Sequence, residues 1–208
     1  MSSQQFKSVA FWEVDVQADF MLPGGALYVR GAEKIIPNLK RLVDAARRNE
    51  VFLVSSACQH STDDPEFKTF GPHCVRGTAG ARIIPEGLTE KNLTVPSSKD
   101  FSWPADLGNY QQVVLEKQVL DVFSNPQTQA LLDRLNGNVD FVVFGVATDY
   151  CVGLAANGLL KRRKRVSIVK DAIAAIDSVA GEAIVSKATQ MGAKLITTDE
   201  ALALLRKN

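Results

Sequence analysis

The chain has 208 residues, of which 46% are apolar and 23% charged, with a formal net charge of +1. This balance suits a single globular domain that buries its own core without disulfides or a structural metal, and it argues against a broad nucleic-acid footprint. No apolar run is long enough to cross a bilayer, and the polar segment 1–7 lacks the apolar centre of a signal peptide, so a cytoplasmic location is expected.

In chain order, strand and helix patterns alternate. Residues 8–16 read as a strand ending in acidic side chains. Residues 32–49 read as an amphipathic helix, with Ile35, Ile36, Leu39, Leu42, Val43 and Ala46 on one face, and 51–56 as a second strand. The segment 57–109 is rich in Gly, Pro, Ser, Thr and charge, and has little periodicity. So long an irregular stretch reads as a functional loop. A strand at 110–116, a helix at 126–135 and a buried apolar strand at 139–146 follow, then a helix at 149–161. Short strands at 165–169 and 194–197 each precede a helix, at 179–191 and 199–206. The basic run Lys161 to Arg165 closes a helix, where cations suit the negative dipole end. Alternation of this kind predicts one α/β domain over residues 1–208, with a mostly parallel sheet.

Open parallel sheets bind ligands beyond the carboxyl ends of their strands. Asp15, Cys58, His60, Lys117 and Cys151 all fall at or just past predicted strand ends. Cys151 stands at a strand-to-helix junction, where unpaired backbone N–H groups favour a thiolate and can hold an oxyanion. Asp15 offers a proton acceptor, and Lys117 a cation that lowers a thiol's pKa. No histidine is near these three in sequence, so an Asp–Lys-assisted cysteine is the economical reading. Of the other cysteines, Cys74 reads as packing, and no pair has zinc-ribbon or Cys-x-x-Cys spacing.

Four motifs occur in order: Asp15-Val16-Gln17-Ala18-Asp19-Phe20 with Pro23-Gly24-Gly25-Ala26-Leu27; Pro72-His73-Cys74-Val75-Arg76-Gly77-Thr78-Ala79-Gly80-Ala81; Lys117; and Gly145-Val146-Ala147-Thr148-Asp149-Tyr150-Cys151-Val152. On these the chain resembles the isochorismatase-like cysteine hydrolases, and most of all their nicotinamidase/pyrazinamidase branch. The resemblance implies a three-layer, doubly wound, Rossmann-like fold. It implies a catalytic triad of Asp15, Lys117 and Cys151, a cis peptide at Val146–Ala147, and an oxyanion hole from the Ala147 and Cys151 N–H groups. The implied reaction is hydrolysis of a small carboxamide to acid and ammonia through a thioester. The family commonly assembles, so a homo-oligomer is expected, with Leu202 and Leu205 as candidate contacts that equally suit packing on the sheet.

The match to nicotinamidases departs at the metal site. Their Asp-x-His pair reads Cys58-Gln59-His60 here, and His73 matches the later histidine. Cys58, His60 and His73 remain a plausible zinc set, and Asp63, Asp64 or Glu66 offers a nearby carboxylate. The alternative is a degenerate site. The loop between the histidines is also short for the pattern. Phe20, Phe70 and Tyr150, with Trp103, are candidates to shape a pocket for a flat ring. Other small amide, carbamoyl or ureido substrates stay open. Isochorismate vinyl-ether hydrolysis is disfavoured by Cys151, and a silent binding protein by the three triad residues together.

Overall fold

The computed structural model describes residues 8–135 and 138–207; the polar segment 1–7 lies outside the described residues. The elements are β1 (Val9–Val14), α1 (Ala18–Met21), α2 (Ile36–Arg47), β2 (Phe52–Cys58), α3 (Phe67–Phe70), β3 (Asn92–Val95) and β4 (Gln112–Lys117). They continue with α4 (Gln127–Arg134), β5 (Asp140–Val146), α5 (Gly153–Lys161), β6 (Arg165–Ala174), α6 (Ser178–Gln190), β7 (Lys194–Ile196) and α7 (Thr198–Leu204).

The strands form one seven-stranded sheet in the order β3-β4-β2-β1-β5-β6-β7, and every pairing is parallel. Every residue of β1, β2 and β4 is buried, which is why their sequences read as near-continuous apolar runs. Side chains alternate across the sheet. Phe11, Leu53 and Phe144 pack on one face with Leu39, Leu42 and Val43 of α2. Trp12, Val54 and Val143 pack on the other with Leu131 of α4 and Ala155 and Leu159 of α5. Helices thus cover both faces in three layers. Leu202 and Leu205 pack against the first cluster. No described helix is long and apolar enough to cross a membrane.

Several boundaries differ from the sequence expectation for identifiable reasons. The helix expected from residue 32 starts with a 3₁₀ turn, Ala32–Ile35, and α2 follows with Pro37 in its first turn, where no N–H is needed. The irregular segment hides an edge strand, β3, whose four residues pair with β4. β6 runs on past Val169 through Lys170 and Asp171, polar residues that interrupt the apolar pattern. Between β5 and α5 the chain makes a wide π-type turn, Thr148–Val152, so the α-helix begins at Gly153 rather than at Asp149.

Candidate active site

The C-terminal ends of β1, β2, β4 and β5 meet at one buried point. Asp15 follows β1 with φ 50°, its N–H donating to the Ser56 carbonyl at 3.1 Å. Ser56 Oγ donates to Asp15 Oδ1 at 2.6 Å, and Lys117 Nζ lies 2.8 Å from Asp15 Oδ2. Lys117 is the last residue of β4, in register with Cys58 on β2. Its ammonium is 3.0 Å from Cys58 Sγ and 3.5 Å from Cys151 Sγ, and Cys58 Sγ is 3.7 Å from Asp15 Oδ2. All four side chains are buried. The expected Asp15, Lys117 and Cys151 are therefore gathered, and Cys58 joins them.

Local backbone features bring these groups together. Gly145, at φ 113°, lies so close to β1 that a Cβ there would overlap the Val14 carbonyl oxygen. The Val146–Ala147 peptide just after it is cis, and the turn that follows presents Cys151 to the pocket. Gln17 fixes Cys58 from below. Its Oε1 accepts the Cys58 N–H at 2.7 Å, and its Nε2 donates to the Cys58 and Ala81 carbonyls, each at 2.7 Å. Asp19 ties the 18–26 and 74–81 loops by accepting from the Ala26 and Cys74 N–H groups.

The electrostatics follow from this crowding. Burial opposes charge on Lys117, but the Asp15 carboxylate and the sulfurs outweigh it, and its pKa rises well above the usual lysine value. A hydrogen bond from Cys151 and the Lys117 charge, working against burial, bring Cys58 down to about 6. The neighbouring Cys58, then burial, push Cys151 up. Cys74 is pushed up by burial; it sits in the core, as expected of a packing residue.

Among the described residues, the group with metal-binding geometry is His60, Glu66 and His73, whose ligand atoms all lie within 4.8 Å of one another. Cys58 is not part of it, which alters the expected set. The extended end of β2 turns its sulfur toward Lys117, and Glu66 enters from the start of α3. Glu66 Oε1 is 3.9 Å from His60 Nε2 and 3.8 Å from His73 Nε2. His73 Nδ1 is 2.8 Å from the Gly71 carbonyl, so it donates there and leaves Nε2 free to ligate. His60 Nδ1 is 3.0 Å from Asp64 Oδ2, and its buried Nε2 makes no well-formed hydrogen bond. Burial works against a charged His60 ring, but the Cys58 sulfur and Asp64 carboxylate lift its pKa to about 9. An orphaned imidazole nitrogen, a second imidazole and a carboxylate fit Zn²⁺.

The pocket above Cys151 is narrow, with a cavity of about 20 Å³. Phe20, Leu27, Phe70, Leu120, Tyr150 and Ile176 form its apolar walls, and Asp15, Cys58, Glu66 and His73 also reach it. Phe20, Phe70 and Tyr150 thus all line this pocket. Trp103 does not: it packs edge-on with Phe101 and donates to Gln127, away from the pocket. The supporting roles of Gln17 and Ser56 are not read from the sequence, and Asp64, offered there as a possible ligand, instead sits behind His60. Gln17 and Ser56 are polar residues within or beside apolar strands, and that was the available signal.

Comparison with known proteins places this geometry. Residues 10–200 match the isochorismatase domain family. A nicotinamidase of Escherichia coli is 28% identical, with 76% of this chain and 79% of that protein covered. An Arabidopsis thaliana protein described as a probable inactive nicotinamidase is 21% identical, over 95% of this chain and 96% of that protein. The crystal structure of a Pyrococcus horikoshii pyrazinamidase in complex with zinc superposes with a TM-score of 0.72 at 24% identity, covering 92% of this chain and 99% of that one. The chain belongs to the isochorismatase family, on the side where nicotinamidases lie.

Proposed function

We propose that this protein is a cysteine amidohydrolase that cleaves a small, nicotinamide-like carboxamide to the acid and ammonia. The observation that carries the reading is the buried contact of one ammonium, Lys117, with both the Asp15 carboxylate and the Cys151 sulfur. A carboxylate to move protons, a cation to hold negative charge and a thiol at a pocket floor are the parts acyl transfer needs.

In this mechanism Asp15 accepts the Cys151 proton while Lys117 stabilises the thiolate. The sulfur attacks the amide carbonyl. The N–H groups of Ala147 and Cys151 take the oxyanion, a contribution typically of about 2.7–4 kcal/mol per donor. Asp15 returns the proton to the leaving nitrogen, and ammonia departs. Asp15 then activates water against the thioester, which releases the acid and restores the thiol. Phe20, Phe70 and Tyr150 would hold the flat ring of the substrate. His60, Glu66 and His73 would hold a zinc ion, which supplies a Lewis-acid point for a donor atom of the substrate.

A second reading keeps the sulfur chemistry but takes another small amide, carbamoyl or ureido compound. The observation favouring it is Cys58, a thiol at the pocket floor where nicotinamidases carry an aspartate. Ammonia release from nicotinamide and from a panel of such compounds, with and without chelator, separates the two. Chelator-sensitive turnover of nicotinamide supports the first. Chelator-insensitive turnover of another compound supports the second. Ammonia from none of them overturns both, as the described inactivity of the Arabidopsis relative would lead one to check.

A further inference from the structure

We propose that Cys58 and Cys151 close into a reversible disulfide when the protein meets a hydroperoxide, with Cys58 acting as the resolving thiol for Cys151. Both sulfurs touch the same ammonium, at 3.0 and 3.5 Å, and so stand side by side at the pocket floor. Both line the pocket above the triad, so a small oxidant that reaches one reaches the other. Cys58 is held in place by the paired Gln17 hydrogen bonds to its own N–H and carbonyl. The third cysteine, Cys74, is packed in the core and does not line this pocket.

The chemistry balances in two steps. The Cys151 sulfur attacks one peroxide oxygen; an S–O bond forms, the O–O bond breaks, and the departing hydroxide or alkoxide takes up the Cys151 proton. The Cys58 sulfur then attacks the sulfenic sulfur; an S–S bond forms, the S–O bond breaks, and water leaves with the Cys58 proton. Two thiols are oxidised by two electrons and one hydroperoxide is reduced. The Lys117 charge suits both steps, since it steadies whichever sulfur carries the negative charge. The product blocks the sulfur that the proposed hydrolysis uses, and a dithiol reductant restores it. Only this regulatory consequence rests on the proposed function; the bond itself does not.

The test is stoichiometric hydrogen peroxide on the reduced wild-type protein, followed by denaturation, thiol counting and intact mass. Expected are a fall from three free thiols to one, a mass loss equal to two hydrogens, a cross-linked peptide pair containing residues 58 and 151, and full reversal by dithiothreitol. Cys58→Ser is expected to lose the cross-link and to accumulate oxygen on Cys151 that dithiothreitol does not fully remove. Retention of three thiols, added oxygen without the mass loss in the wild type, or a cross-link through Cys74 would each overturn the proposal. The mass and thiol readouts do not depend on any amide being hydrolysed. If they succeed while ammonia release is absent, it is the hydrolase reading that fails.

Discussion

Lys117 Nζ stands 2.8 Å from Asp15 Oδ2, and neither side chain reaches solvent. Such a pair is asymmetric in its energetics. Removing one partner strands a buried charge, at a typical cost of about 3–5 kcal/mol, whereas replacing both by neutral groups of similar shape costs much less. Lys117→Met should therefore lower the urea midpoint sharply. The double variant Asp15→Asn with Lys117→Met should recover part of that loss, while remaining without turnover. A double variant as unstable as the additive sum of the singles would show that the pair is not coupled.

Cys151→Ala removes the proposed nucleophile and little else. The residue is small and buried, so a loss of about 1 kcal/mol or so is expected, with an unchanged circular dichroism spectrum. Ammonia release should fall to background. Residual turnover near the wild-type rate would remove Cys151 from the mechanism.

Glu13 carries a pH dependence of its own. It is fully buried within β1, and burial lifts its pKa to about 8 despite a hydrogen bond from Ser55. Its Oε1 has no hydrogen-bond partner. The folded protein thus keeps a proton there that the unfolded chain loses near pH 4.5. The stability tied to this group is fully present below that value and is lost as pH rises toward about 8. Glu13→Gln mimics the protonated acid, so its stability relative to wild type should grow by several kcal/mol between pH 5 and pH 8. Parallel denaturant curves at both pH values check this; a constant difference would mean Glu13 is ionised in the fold.

Gly145→Ala should be among the most damaging single changes in the protein. Its φ of 113° is hostile to an L side chain, and the new methyl would overlap backbone atoms of β1, which cannot swing aside as a flexible side chain would. A loss of more than about 3 kcal/mol is expected, together with loss of turnover, since the strand end that leads to Cys151 must move. A melting temperature within a few degrees of wild type would contradict the close approach.

The zinc assignment makes separable claims about four residues. His60→Ala and Glu66→Gln should each abolish tight binding, read by competition with a chromogenic chelator. Asp64→Ala, which removes the carboxylate behind His60, should weaken zinc by about 10–100-fold. Cys58→Ser should leave the affinity near wild type, because its sulfur faces Lys117. A loss confined to Cys58→Ser would restore the ligand set expected from the sequence.

Much of the architecture was legible because this sheet is buried on both faces, and apolar runs such as 139–146 announce themselves. The meeting of Asp15, Lys117 and Cys151 could be expected because strand ends of one parallel sheet share a rim. What escaped was set by turns rather than by periodicity. β3 is a short edge strand with only Val95 fully buried, too little to show an apolar face. Cys58 and His60 are two residues apart, yet the chain leaves β2 between them, and spacing alone does not say which turns toward the lysine. Of the three carboxylates the sequence offers there, Asp63, Asp64 and Glu66, it is Glu66, at the start of α3, that joins the histidines, a choice set by the turn and not by spacing.

The tightness of the space over Cys151 has a kinetic consequence. A volume of about 20 Å³ exceeds the roughly 10–15 Å³ that one water molecule needs, but an aromatic ring is several times larger. A ring-bearing amide then needs the walls to give, and Phe70, a wall residue packed edge-on against Tyr150 at 5.3 Å, is the one expected to move. On-rates for a ring-bearing amide would report the frequency of that opening rather than diffusion, and widening the doorway with Phe70→Ala would quicken capture while loosening the grip that follows.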